Sequence, residues 1–460
     1  MPNFKKLATP YHHNALLALQ ELVHRHSVYD PTTIGPGAPF GTGVKSALDY
    51  VAELGEGYGF EVDRCQGYCT ELSFGNEGPL IGIYAHSDVV PVSGTWRSGP
   101  FEAKIEGEGK QAMMIGRGTS DDKGPLIAAL FAMKLLKDNN LINGFRVRLV
   151  TGGDEERGSG CLHHYFHVLN KPASDYGFTP DADFPLIYAE KAIIRAELTK
   201  KIDLSPIIAI DGGVVSNAVC DRVVVTLKKD TKFIEYLKNG PVSFSVGDIS
   251  DLGEVMLITF KGKSAHASNP SAGQNAILFA FLAIAEFYKI DFLKNLCLAI
   301  ANPNGRDFGG NMTSPELGEC TYNYGIISYD GKGLLKISLD FRYGEAAKPE
   351  ECLKMLQDFV NMDLEVLSKS PMLLFDKKSP LISTLMKSYK RMTHRFFDKP
   401  IAIGGGTYAK EALNCVAYGS AFPEHPGDIH SPNEYIYLED FYKQIAIYAD
   451  AIYSLGKIKK

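Results

Sequence analysis

No stretch of this 460-residue sequence approaches the roughly 20 consecutive apolar residues that a membrane-spanning helix needs. The amino-terminal stretch MPNFKKLATPYHHN lacks the apolar core of a secretory signal. Charge of one sign is missing as well. Lysine plus arginine (48) stand against aspartate plus glutamate (54), a formal net charge of −6 without long runs. A nucleic-acid partner would call for a basic stripe, and there is none. The eight cysteines show no repeated CxxC, and Cys65 and Cys69 have no second pair to join them. Reduced thiols are expected rather than a zinc knuckle or a disulfide framework. Internal repeats and low-complexity linkers are also absent. What remains is a cytoplasmic, globular protein with no membrane partner, long enough for two domains.

The order of elements predicts an α/β fold. PLIGIYAH (79–86) is a near-continuous apolar run without a 3.6-residue period, as in a buried strand. Pro125 opens the helix-forming run PLIAALFAMKLLKDNN, with Asp121 or Asp122 placed to cap it. FRVRLVTGG then reads as a second strand. Strand, helix, strand is the pattern of a doubly wound domain, here with a mixed sheet. From about residue 193 strands and helices succeed one another differently: VMLITFKGKSAH, NAILFAFLAIAEFYKI, LLKISLDFRY, KPEECLKMLQDFV. An α+β module over 193–380 is therefore expected inside a discontinuous α/β domain of 1–192 and 381–460. SPLISTLMKSYKRM and the helix LEDFYKQIAIYADAIYSL return the chain to that first domain.

Acids and imidazoles recur in clusters along this frame: His86-Ser87-Asp88, Asp121-Asp122-Lys123-Gly124, Asp154-Glu155-Glu156, Asp181 and His430. Carboxylate oxygens mixed with imidazole nitrogens suit zinc or a similar divalent ion. One carboxylate more than a single tetrahedral site needs suggests two metals, and hence hydrolysis by metal-activated water. His86, Glu155 and Glu156 fall at the carboxyl ends of strands, where α/β sheets gather functional groups. Asp88, two residues after His86, is a candidate to orient its ring. One of Asp121 and Asp122 would bridge the metals. Of Glu155 and Glu156, one would ligate metal and the other exchange protons with the attacking water and the leaving amine. Asp181 competes with Asp183.

His266, in GKSAHASNPSAGQNA, could donate to a substrate oxyanion. Gly404-Gly405-Gly406 lacks the Lys-Ser/Thr of a phosphate loop and would let backbone approach a ligand closely. His163 and His167 have helical i, i+4 spacing, but no HExxH surrounds them, so an amphipathic helix face is expected. Ser120 and Ser431 have no GxSxG elbow, which argues against a serine triad.

Taken in order, AHSDVVP, GRGTSDDKG, GGDEERGSG, TPDADFP, GKSAHASNPSAGQNA, GGGTYAK and HSPNEY resemble the two-metal peptidase and amidase family of carboxypeptidase G, aminoacylase and carnosinase. TPDADFPLIYAEKA and the long insert look most like the PepV-type bacterial dipeptidases. The resemblance implies His86, Asp121 and Asp181 around one metal, and Asp121, Glu156 and His430 around the other. The ions would be zinc, with manganese or cobalt as options. It further implies Glu155 as general base and acid, Asp88 as orienter of His86, and a cis peptide between Asp121 and Asp122. The insert would be an enlarged ferredoxin-like lid that takes the place of a dimer partner and carries His266 as oxyanion donor. Asn217, Arg342, Gly405 and Gly406 would hold substrate. In GGGTYAK, Thr407-Tyr408 stand where relatives usually have an acidic residue, a departure that bears on side-chain specificity. The implied activity is hydrolysis of dipeptides by a monomer. The alternatives are an N-acyl or N-succinyl amino acid amidase and, more remotely, an inactive peptide-binding relative.

Overall fold

The computed structural model describes residues 1–239, 245–425 and 427–458. The chain divides into two compact units. The first comprises Met1–Tyr188, Leu374–Ile401 and Gly406–Lys460, and the second Ala189–Leu373 and Ala402–Gly405. The sequence reading puts the crossings at 192/193 and 380/381, with no second excursion. Strand Ile187–Glu190 runs into strand Ala192–Lys201 with Lys191 alone between them, so no loop composition marks the crossing. Ala402–Gly405 is too short to carry a pattern of its own. Residues 240–244, 426, 459 and 460 fall within the expected ranges but outside the described residues.

In the first unit, Leu80–His86 lies parallel to Arg146–Gly152 on one side and to Tyr176–Thr179 on the other. Cys415–Ala417 adds a further parallel strand, and Cys69–Phe74 an antiparallel one. Every residue of Leu80–His86 is buried, which is why its sequence is apolar without alternation. The helix predicted from Pro125 starts at Lys123 and runs to Asp138, with nearly every residue through Leu136 buried. It packs on the carboxyl-terminal helix Leu438–Leu455. Asp122 occupies the N-cap position, but its carboxylate does not cap. Instead it accepts the His86 backbone N–H at 3.1 Å. Gly124 is needed at this helix start, because a Cβ there would sit 2.1 Å from the Thr119 carbonyl oxygen.

The second unit is an α+β module around an eight-stranded sheet. Its strands run in the order Val246–Asp251, Val255–Lys261, Arg222–Lys228, Ile207–Gly212, Thr321–Tyr329, Leu334–Tyr343, Ala192–Lys201 and Asp363–Ser370. Neighbouring strands pair antiparallel throughout. Helices Ala276–Tyr288, Phe292–Ala301 and Pro349–Val360 share one apolar core with alternate residues of these strands. Asn275 caps the first of them by accepting the Ile277 N–H. Among the described residues, no helix is long and apolar enough to cross a membrane.

Phe131, fully buried on Lys123–Asp138, tests the packing of the first unit. Phe131→Ala should cost about 3–5 kcal/mol in a denaturant titration, the range for emptying a well-packed aromatic site. A loss below about 1 kcal/mol would contradict that packing.

Candidate active site

Three neighbouring parallel strands end on the same edge, and each delivers acids or an imidazole there. His86 closes Leu80–His86 opposite Gly152, the last residue of Arg146–Gly152. The chain leaving Gly152 turns through Asp154, Glu155 and Glu156, and the chain leaving Thr179 reaches Asp181 two residues on. The Asp121–Asp122 pair precedes the Lys123 helix, and the peptide between them is cis. His430 comes from a tight loop in which Asp428, His430 and Asn433 hold left-handed φ angles of 49°, 60° and 63°. Strand Tyr435–Tyr437, which follows, pairs with Met113–Ile115 and brings the loop against Ser120 and Asp121.

The centre of this arrangement is one carboxylate between two imidazoles. Asp121 Oδ1 lies 2.9 Å from His86 Nε2, and Asp121 Oδ2 lies 2.9 Å from His430 Nε2. Asp181 Oδ2 stands 3.8 Å from His86 Nε2, and Glu156 Oε1 stands 3.2 Å from His430 Nε2. Possible ligand atoms of His86, Asp121 and Glu156 lie within 4.8 Å of one another, as do those of His86, Glu155 and Asp181. Glu156 is thus engaged with His430, whereas the Glu155 carboxylate has no hydrogen-bond partner among the described residues.

Asp88 does more than stand beside a ring. His86 Nδ1 is 3.0 Å from the Asp88 backbone carbonyl and 3.5 Å from its carboxylate. The carboxylate itself accepts the backbone N–H groups of Glu155 and Glu156, at 3.1 and 3.2 Å. A buried ion pair on the far side was not singled out from sequence. Glu434 accepts the backbone N–H groups of Ser120 and Asp121 at 3.0 and 3.1 Å, and Arg117 donates to it at 2.6 Å. Glu434 follows His430 by four residues in HSPNEY, and that closeness was the one available signal. Tyr408, of GGGTYAK, is fully buried, with its ring 6.0 Å from that of His86 and its hydroxyl bonded to Cys161 Sγ.

Electrostatics decide what such a cluster can hold. Burial drives the Glu155 carboxyl well above the ordinary range, and the charge of Asp181 adds to this. Burial and Asp121 raise Asp181 to about 7 and shift Glu156 in the same direction. The His430 imidazole is raised to about 11 by hydrogen bonds to Asp121 and Glu156. Burial alone would lower His86, but Asp121, Asp88 and Asp181 carry it well above its usual value. Burial would raise Asp121, yet its two imidazole partners hold it low. Crowded buried carboxylates of this kind ionise together only if cations neutralise them. Carboxylate and imidazole ligands on both sides of one bridging group fit a pair of divalent ions.

The sequence pattern of Peptidase family M20/M25/M40 matches residues 82–454, a span that contains every cluster just described. The chain belongs to this family. A Bacillus subtilis (strain 168) relative, "Putative dipeptidase YtjP", is 33% identical over 455 residues, covering 95% of this chain and 96% of its own. Among solved structures, the M20 metallo-carboxypeptidase Sso-CP2 of Sulfolobus solfataricus superposes with a TM-score of 0.59 at 18% identity, over 96% of this chain and 99% of that one. The dipeptidase Dug1p of Saccharomyces cerevisiae gives 0.60 at 12%, over 99% and 98%. At these identities the two structures establish the M20 fold and no more.

The remaining residues singled out from sequence are divided between the two units. Asn217, His266, Arg342 and Gly405 belong to the second unit, and Gly406 to the first. Arg342 is buried, and its Nε and both terminal nitrogens donate to Asp340 and to the Gly404 carbonyl. Of the three glycines, Gly404 is the crowded one, since a Cβ there would lie 2.6 Å from Ser268 Cβ. His163 and His167 are exposed and outside the cluster, and the cysteines are free and buried. Asp183 pairs in an isolated bridge with Ala421.

Cation binding to this M20 site should release protons. Asp181, Glu155 and Glu156 hold protons above the usual carboxylate range, and His430 holds one up to about 11, so each must give one up to become a ligand or base. Affinity should therefore rise from about pH 5 to pH 8. Calorimetry in buffers of different ionisation enthalpy measures this, and net proton uptake would contradict the assignment.

Proposed function

We propose that this M20 protein is a dipeptidase that hydrolyses the peptide bond of dipeptides with the help of two divalent cations. The observation that carries the reading is Asp121, whose two oxygens each face a different imidazole. His86, Asp121 and Asp181 would hold one cation, and Asp121, Glu156 and His430 the other. Zinc suits these ligands best, and manganese or cobalt would also be accepted. When bound, the cations lower the pKa of water and polarise the scissile carbonyl.

The chain's own groups do the rest. Glu155, whose carboxyl burial holds above the ordinary carboxylate range, takes the proton of the attacking water and returns it to the departing amine. Asp88 orients His86 through its carbonyl and steadies the Glu155–Glu156 turn through its carboxylate. His266 is assigned the N–H that meets the developing oxyanion. Ser268 steadies the ring for this role, its hydroxyl and backbone N–H lying 2.7 and 3.4 Å from His266 Nδ1. Asn217 and the Gly405–Gly406 backbone are assigned to substrate. Arg342 keeps a substrate carboxylate as a candidate partner, and its bond to Gly404 also holds the glycine segment. The protein is further assigned as a cytoplasmic monomer, the eight-stranded second unit standing where the PepV-type resemblance puts a lid in place of a dimer partner.

Glu155→Ala should keep its cations, measured by elemental analysis, and lose about 10²–10⁴-fold in kcat on a dipeptide. Normal turnover in that variant would refute the mechanism. A panel of dipeptides and N-acyl or N-succinyl amino acids, assayed with added zinc or manganese, tests the substrate class. Preference for the acyl amino acids would make the protein an amidase with the same machinery.

A further inference from the structure

A row of polar side chains in the second unit, of which only Arg342 has been given a part in the chemistry above, crosses two neighbouring strands. Thr321 and Asn323 on Thr321–Tyr329 stand opposite Arg342 and Asp340 on Leu334–Tyr343. The alternate residues Tyr322 and Phe341 stack at 4.5 Å within the apolar core. Period-2 geometry therefore puts the four polar residues together on the other face of the sheet. Asn323, Asp340 and Arg342 are each no more than 2% exposed. Polar groups buried so deeply are costly unless they are bonded, so their partners show what they hold.

Those partners are backbone carbonyls of loops. Asn323 Nδ2 donates to the carbonyls of Ser216 and Ala218, at 2.8 and 2.9 Å, one on either side of Asn217. Thr321 Oγ1 donates to the Ala267 carbonyl at 3.0 Å, next to His266. Arg342, braced by Asp340, donates to the Gly404 carbonyl at 2.7 Å. The loops also touch one another. Ala218 and His266 form a β-bridge, the Ala267 N–H donates to the Asn217 carbonyl at 2.9 Å, and Gly404 lies against Ser268.

We propose that Thr321, Asn323, Asp340 and Arg342 form a polar platform that sets the relative positions of the loops carrying Asn217, His266 and Gly405, with Asn323 as its central clamp. The proposal rests on the dipeptidase reading for the task of these loops. These are positioning residues: Asn323 acts on the oxyanion donor only through the paired 216–218 and 265–267 segments. Both of its partners are carbonyls, so only its NH2 group can face them. Aspartate at 323 would keep the shape and turn oxygen towards oxygen.

The test is a double-mutant cycle on the full protein with a dipeptide the wild type hydrolyses. Asn323→Asp should lower kcat/KM by about 10- to 100-fold with unchanged metal content, as small misplacements of a catalytic group do. In a His266→Ala background the same change should cost several-fold less, because one group it positions is gone and only its hold on the Asn217 segment remains. Equal losses in both backgrounds, or a His266→Ala enzyme at wild-type rate, would overturn the proposal. Thr321→Val keeps the volume and drops the hydroxyl, and decides the matter if Asn323→Asp does not fold. About a threefold loss, absent in the His266→Ala background, is expected, and wild-type rates would overturn the proposal. The imidazole ¹⁵N signals of His266, identified by their loss in His266→Ala, give a readout independent of turnover. Asn323→Asp and Thr321→Val should shift these signals, and the tautomer balance they report, away from those of the wild type; unchanged signals count against the platform. A wild type that cleaves no dipeptide refutes the functional reading, while the tautomer measurement still tests the platform.

Discussion

The site is built on a single electrostatic constraint: several carboxylates are buried side by side, and charge must be supplied to keep them there. Asp121 meets that constraint within the protein by standing between His86 and His430, and it is the one acid of the cluster whose pKa falls. Asp181, Glu155 and Glu156 lie near the same imidazoles without being sandwiched between two of them, and burial pushes all three up. The same crowding that makes the empty cluster unfavourable makes it a strong attractor for divalent cations. It also sets the two adjacent glutamates apart, since Glu156 leans on His430 while the Glu155 carboxyl is held well above its ordinary range.

Such a cluster survives only if its backbone is held firmly, and the surrounding polar groups supply that support. The Asp88 carboxylate pins the Glu155–Glu156 turn, Asp122 pins the His86 peptide, and Glu434 with Arg117 pins the Ser120–Asp121 peptides. Each is an acid that accepts main-chain N–H groups, and Glu434 is in addition paired with Arg117. The second unit uses the opposite polarity. Its platform is made of donors, Asn323, Thr321 and Arg342, and they hold loop carbonyls. One unit organises N–H groups around negative charge, and the other organises the carbonyls that flank Asn217 and follow His266.

Much of this could be read from the linear sequence, for identifiable reasons. Strand Leu80–His86 and helix Lys123–Asp138 are buried so completely that their composition alone reveals them. The acid clusters stand at strand ends, where hydrophobic runs stop, so their positions stand out. The helix at Asp121–Asp122 shows where such reading fails. A carboxylate at a helix start looks like a cap, yet Asp122 turns to the His86 backbone, a partner remote in sequence. Glu434, Arg117, Thr321 and Asn323 were not legible as functional, because a lone polar residue on a strand or loop carries no pattern of its own. The exposed edge strand Asp363–Ser370 and the short return Ala402–Gly405 likewise lack a periodic signal.

By itself the sequence determined the fold class, the metal-suited set of acids and imidazoles, and membership of the family, since these depend on composition, periodicity and ordered motifs. Only the tertiary structure decided which oxygen of Asp121 faces which histidine, which glutamate is engaged, and which glycine is crowded. Those choices depend on distances between groups far apart in the chain. His86 and His430 meet across a single carboxylate because parallel strands end together and the strand after His430 pairs with the distant Met113–Ile115, and no local pattern encodes that meeting.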